Sequence, residues 1–307
     1  VGNAIAILIA ALGAVIMSIG TQLQSSGVAK TDKSIDEQAG TGGFSLRELL
    51  NLFRSKRWVI GTLLLGLSVV VQVTALSMAP IMVVQPIGII ALVLTTYLNA
   101  HLANLHIGRS VLTGVAMCMV GIGLFVIMAA TIAVDHPVTD RRLIEVLLLL
   151  ACVLVVFAIG FALFGRRMRA VVYIIGAGVL FAFVSTLAKL LVARVRDGNF
   201  EWLTLVTALA LAVTAALGSW FVQNAHASGP PDLVMAGLTV IDPLVAVLIG
   251  MIVLEEATKA PLWMLAAFVI TGAIGVGGVF VIARHHPQVR GLKRAEDRLK
   301  ISPPPHS

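Results

Sequence analysis

Charge is scarce in this chain: Asp, Glu, Lys and Arg make up 12% of its 307 residues, about half the share of a soluble domain. Acids are fewer than bases, 15 against 22, aromatic residues are 6%, and there are two cysteines. A soluble protein of this length needs a polar surface that such a composition cannot supply. That excludes a soluble enzyme, a nucleic-acid binder and a disordered tail protein. Cys118 and Cys152 both fall in apolar runs. They form neither a disulfide framework nor a metal site, and each is expected to be a small buried apolar residue. No nucleotide-binding motif occurs, so ATP is not a direct energy source. No carboxylate cluster of the D-D-x-x-D kind occurs either, which argues against a membrane enzyme acting on isoprenoid diphosphates.

Apolar residues are what the chain has in plenty, at 59%, with a mean hydropathy of +1.00. A spanning helix needs about 20 mainly apolar residues. Nine stretches qualify, near 4–26, 58–79, 82–104, 108–130, 143–164, 171–193, 202–222, 233–253 and 261–283. The runs are continuous rather than alternating, which excludes a transmembrane β-barrel. The first run lacks a basic leader and holds Gln22 and Gln24, so it reads as a true span rather than a cleaved signal. The expected fold is all-α: a polytopic membrane bundle of about nine spans.

Basic residues between the spans set the orientation. Sixteen Lys and Arg fall on one set of alternate loops and the tail, and five on the other set. This bias predicts an N-terminus outside and a C-terminus in the cytoplasm of the cell membrane. The long loop 27–57 is then cytoplasmic. Ser45 and Glu48 have capping-box spacing, and Phe44, Leu49, Leu52 and Phe53 share a face, so 44–53 reads as an interfacial amphipathic helix. The basic tail 284–307 ends in Pro303-Pro304-Pro305 and reads as solvated.

An internal repeat is visible. Spans 2 and 7 open with Trp58 and Trp202. Spans 3 and 8 carry Pro86 and Pro243. Spans 4 and 9 carry Gly114, Gly121 and Gly123 against Gly272, Gly275, Gly277 and Gly278. The matched spans run in opposite directions, so the repeat is inverted: a first unit over 1–130 and a second over 143–283. Inverted repeats with proline-bearing helices at matching positions are a transporter signature and mark Pro86 and Pro243 as hinges. Gly114 and Gly121 lie on one helix face, as do Thr271 and Gly278, which fits close helix packing.

Several stretches carry a family resemblance. Ala79-Pro80-Ile81-Met82-Val83-Val84-Gln85-Pro86-Ile87-Gly88 resembles the A-P-x-x-x-V-x-P-x-G segment of the NIPA family of magnesium transporters, within the drug/metabolite transporter superfamily. Gly20-Thr21-Gln22-Leu23-Gln24 resembles that family's G-x-x-L-Q segment. Trp58 with Gly61 resembles its W-x-x-G, and Ser185 with Lys189 its S-x-x-x-K. Pro243 and Glu255 have the spacing of the superfamily's EamA-type unit. The resemblance implies a transporter of that fold, with Mg²⁺ as a substrate rather than a cofactor. Where superfamily members often carry an acid, this chain reads Asn99, His101 and Asn104, so the likeness supports the fold better than the ion.

Asp242 is the leading site candidate. A carboxylate in mid-span is costly unless it meets a cavity, a partner or an ion. It is proposed for substrate or metal contact, the alternative being a structural pair with a neighbouring helix. Lys189 either snorkels outward, pairs with Asp242 or faces an anionic substrate. Gln72, Gln85 and Gln22 are expected either to touch substrate or to tie helices together. His101 and His106 read as interfacial. Glu255 and Glu256, closing span 8 at the outer face, read as a solvated helix end, with an ion gate as the sharper option. The favoured function is a secondary transporter moving a small solute (metabolite, drug or cation) by alternating access. Alternatives are a Mg²⁺ transporter, a translocator of lipid-linked substrates, or a non-transporting subunit of a larger membrane complex. Membrane lipid and a small-molecule or ion substrate are the expected partners, with a homodimer left open and nucleic acid excluded.

Overall fold

A computed structural model describes residues 2–32, 55–102, 109–134, 136–164, 170–228, 231–258 and 260–285. Among them the chain forms helices and no strand. They are α1 (Gly2–Asp32), α2 (Lys56–Met78), α3 (Ile81–Val84), a 3-10 turn (Gln85–Gly88), α4 (Ile89–Leu102), α5 (Arg109–Ile132), α6 (Asp140–Phe164), α7 (Ala170–Arg196), α8 (Trp202–Ser228), α9 (Pro231–Ile252) and α10 (Leu262–His285). Seven helices are long and apolar enough to cross a membrane, and two shorter apolar segments, Ile81–Thr95 and Gly237–Ile252, stand at the third and eighth places. The protein is a polytopic helical membrane bundle. The amphipathic segment 44–53, the tail beyond 285, Asn104 and His106 lie outside the described residues, as do the side chains of Asn99 and His101.

The exterior is apolar. Leu8, Leu63, Ile127, Leu163, Leu209 and Val269 are each more than 60% exposed, which suits lipid and not water. Trp202 and Trp263 stand exposed at the starts of α8 and α10, where amphipathic rings anchor to an interface. Cys152 is exposed on α6, against expectation, while Cys118 is buried. In lipid an apolar residue need not be buried in protein, which is why hydropathy alone does not separate the two.

Small residues decide which helices touch. A Cβ on Gly278 would lie 2.6 Å from the Gly114 carbonyl oxygen, and one on Gly121 would lie 2.5 Å from the Gly275 nitrogen. The backbones of α5 and α10 therefore meet directly, and dispersion at that distance replaces the hydrophobic drive that lipid removes. Gly20 and Gly61 play the same part between α1 and α2, where a Cβ on Gly61 would come 2.5 Å from the Gln24 nitrogen. The pattern recurs along the chain. α1 packs on α2 and α4; α7 packs on α8 and α9; α5 and α10, which close each set of four spans, pack on each other. α6 lies to one side with fewer neighbours.

The third span is broken. Pro80 leads into α3, which gives way at Gln85 to a 3-10 turn containing Pro86. The eighth span behaves differently. Pro243 sits inside a continuous α9, so it does not interrupt the helix as its counterpart does. It still withholds an N–H from the Thr239 carbonyl four residues upstream.

Candidate functional site

Two places in the bundle combine chemistry with geometry. The first is central. Pro86 and Pro243 both line one cavity of about 60 Å³, with Ile89, Phe125, Leu244, Val247 and Thr271 among its walls. The two sequence-matched prolines thus come from different halves of the chain to one space. That space is almost entirely apolar, with the Thr271 hydroxyl as its side-chain polar group.

Asp242 precedes Pro243 on α9, and it does not line this cavity. Its Oδ1 is buried and has no hydrogen-bond partner among the described residues. The α7 backbone comes close, since a Cβ on Gly178 would lie 3.3 Å from the Asp242 nitrogen. Among the described residues no three His, Cys, Asp or Glu side chains gather into a metal-binding group. Mg²⁺ keeps most of its waters and often takes a single carboxylate. Asp242 by itself makes no closed metal cage.

The amides divide. Gln85 is buried at the start of the 3-10 turn. Gln72 is half-buried on α2 beside Gly13 of α1, a place that fits helix-to-helix contact. Gln22 is half-buried on α1. Its neighbour Gln24 donates from Nε2 to the Thr62 hydroxyl of α2 at 3.3 Å.

The second place lies at one end of the bundle. The connections 79–80, 133–139, 197–201 and 253–261 meet there, as strict alternation of the spans requires. The start of α1 is at the same end, since Asn3 Nδ2 donates to the Ala130 carbonyl at 3.2 Å. Lys189 reaches this level from α7. Its Nζ is 3.1 Å from Glu256 Oε1 and also donates to the Ala79 carbonyl at 3.1 Å. Lys189 thus pairs with Glu256 rather than with Asp242, and the ammonium does not snorkel, being 6% exposed.

Glu256 corrects an expectation outright. It is 1% exposed, so it is no solvated helix end. Its Oε1 accepts the Ile81 N–H at 2.8 Å and its Oε2 the Met82 N–H at 2.9 Å. These are orphan donors of the first turn of α3, where a carboxylate is favoured by both hydrogen bonding and charge. The Glu256 carbonyl accepts the Val134 N–H at 3.0 Å, and its own N–H donates to the Gly250 carbonyl at 3.0 Å. The turn that aims it inward is made by Glu255, a non-glycine residue at φ 57. Glu255 itself is exposed and pairs with Arg142 at 2.8 Å. A void of about 10 Å³ lies beside the pair, walled by His136, Arg142, Leu190 and Leu254 among others. The His136 Nε2 is buried and has no hydrogen-bond partner among the described residues. Further along the same end, buried Arg194 holds Asp140, lies 3.6 Å from Glu201 and donates to the Thr204 hydroxyl at 2.9 Å.

A lipid-facing bundle with prolines meeting at a central cavity, a lone mid-span carboxylate and a buried ion pair at one end has the parts of a membrane transporter. The model of the NIPA magnesium transporter family matches residues 2–197, and the chain belongs to that family. An uncharacterized protein of Corynebacterium glutamicum is 24% identical over 304 residues, covering 95% of this chain and 99% of that one. No solved structure matches.

Proposed function

We propose that this protein is a secondary transporter of the cell membrane that moves Mg²⁺ by alternating access, with its N-terminus outside and its C-terminus in the cytoplasm. The observation that carries the ion is Asp242, whose buried Oδ1 has no hydrogen-bond partner among the described residues. An unpaired mid-membrane carboxylate is expensive and is kept where a cation or proton visits. The recurring packing of the first four and last four spans supports two inverted units, 1–130 and 143–283, that rock about the cavity between Pro86 and Pro243. That cavity is lined almost wholly by apolar side chains and offers a hydrated ion almost no ligand. Loading therefore requires the units to part.

A second reading has its own support. The apolar walls of the central cavity suit an organic solute better than an ion, as the wider drug/metabolite superfamily resemblance implies. Flux into proteoliposomes decides between them. With a fluorescent Mg²⁺ indicator inside, the wild type should give a saturable signal, and Asp242→Asn should lose at least nine-tenths of it while remaining folded. Unchanged flux in Asp242→Asn removes that residue from the site. Absence of Mg²⁺ flux in the wild type, with counterflow of an organic solute, moves the substrate to the second class.

A further inference from the structure

We infer that Lys189 and Glu256 form a latch that holds this end of the bundle shut, and that Glu256 is the part that moves. The inference rests on the transport reading above and names the gate it requires. Three features separate a latch from a static staple.

The first is convergence. One carboxylate and its own backbone tie together the corner between α2 and α3, the last third of α7, and the connection between α5 and α6. These segments belong to both halves of the chain. Releasing Glu256 frees all of them at once.

The second is placement. Glu256 stands on a turn past the end of α9, not inside a helix. The residue before it is held at positive φ, a strained state for a side-chain-bearing residue that persists only while its surroundings enforce it. The Arg142–Glu255 pair and the bonds of Glu256 are that enforcement. When they part, the turn can relax and withdraw the carboxylate. Hinges in closing proteins are commonly such element-terminal positions.

The third is reach. The amides that Glu256 holds belong to α3, which runs into the turn bearing Pro86, a wall of the central cavity. Opening the latch therefore loosens the segment that shapes the transport cavity. The void beside Lys189 has room for about one water by volume, and His136, whose buried Nε2 has no hydrogen-bond partner among the described residues, is one of its walls. Water can thus enter beside the pair before it separates.

The test reads accessibility rather than transport. Leu190, 1% exposed and lining that void, is replaced by cysteine in a chain whose Cys118 and Cys152 are alanine. The labelling rate is measured in proteoliposomes with a membrane-impermeant maleimide. The decisive variant is Lys189→Met with Glu256→Gln, which removes both charges of the pair together and so is less disruptive to folding than either single change. Thermal unfolding in detergent confirms that it is folded. At least a tenfold faster labelling is expected in the double variant, with Lys189→Arg close to the parent. Labelling within twofold of the parent in a folded double variant overturns the latch. So does fast labelling in the parent itself, since the end is then not shut. If labelling accelerates as expected while no solute is carried by the wild type, the latch stands and the transport reading fails separately.

Discussion

Replacing Lys189 with methionine leaves Glu256 charged and buried, held by the Ile81 and Met82 amides. Breaking a buried ion pair from one side costs about 3–5 kcal/mol, because the remaining charge is uncompensated. The two amide donors soften this, so Lys189→Met should lie near the lower end, about 3 kcal/mol. Glu256→Gln should cost more. It takes the carboxylate from beside the Lys189 ammonium and also turns an NH₂ toward one of two backbone N–H groups, which loses a further hydrogen bond worth about 1–3 kcal/mol. Its total is then about 4–6 kcal/mol. The double variant removes both charges and keeps one acceptor oxygen, so it should lose only about 1–3 kcal/mol. Both side chains are nearly fully buried, 6% and 1% exposed, so solvent screening does little to reduce these figures. The two single losses therefore exceed the double by several kcal/mol, and the cycle yields a large favourable coupling. Reversible unfolding in mixed detergent micelles measures it. A coupling below about 0.5 kcal/mol, the level of independent sites, would refute the assignment of Glu256 as the partner of Lys189.

Other substitutions test the rest of the bundle. Gly278→Ala places a methyl 2.6 Å from the Gly114 carbonyl oxygen and should destabilise the fold by about 1–3 kcal/mol, whereas Gly123→Ala, with nothing within 4 Å, should leave the unfolding midpoint unchanged or slightly higher. Arg194→Met should be milder than Lys189→Met, at about 1–2 kcal/mol, because its partners Asp140 and Glu201 are more than 60% exposed and regain water; an equal or larger loss in the same unfolding assay contradicts this. Pro243→Ala supplies an N–H to the Thr239 carbonyl and should raise thermal stability while slowing flux, if flexing at this proline is part of the transport cycle; faster or equal flux argues against a hinge there.

The legible and illegible parts of this protein divide by the physics that each obeys. Span number and the close approach of α5 to α10 follow from local composition, since apolar length and small-residue spacing act through neighbours on one helix. Gly114, Gly121, Thr271 and Gly278 are spaced on single faces in the sequence and meet across the helix pair in the fold. Pro86 and Pro243 likewise reach one cavity because matched positions in two units converge when the units pack. The Lys189–Glu256 pair is a different case. Its partners are 67 residues apart, and the closing turn depends on a left-handed residue, Glu255, that is not glycine, so no local rule announces it. One physical signal was nevertheless available. A lysine inside a span often pairs with an acid at its own depth, and Lys189 lies in the last third of its helix. Asp242 is in mid-span, too deep for that level, whereas Glu255 and Glu256 follow the last turn of α9 at the same end of the bundle. Depth matching therefore points past Asp242 to those two residues. Asp242, whose Oδ1 has no hydrogen-bond partner among the described residues, is then left to a role of its own.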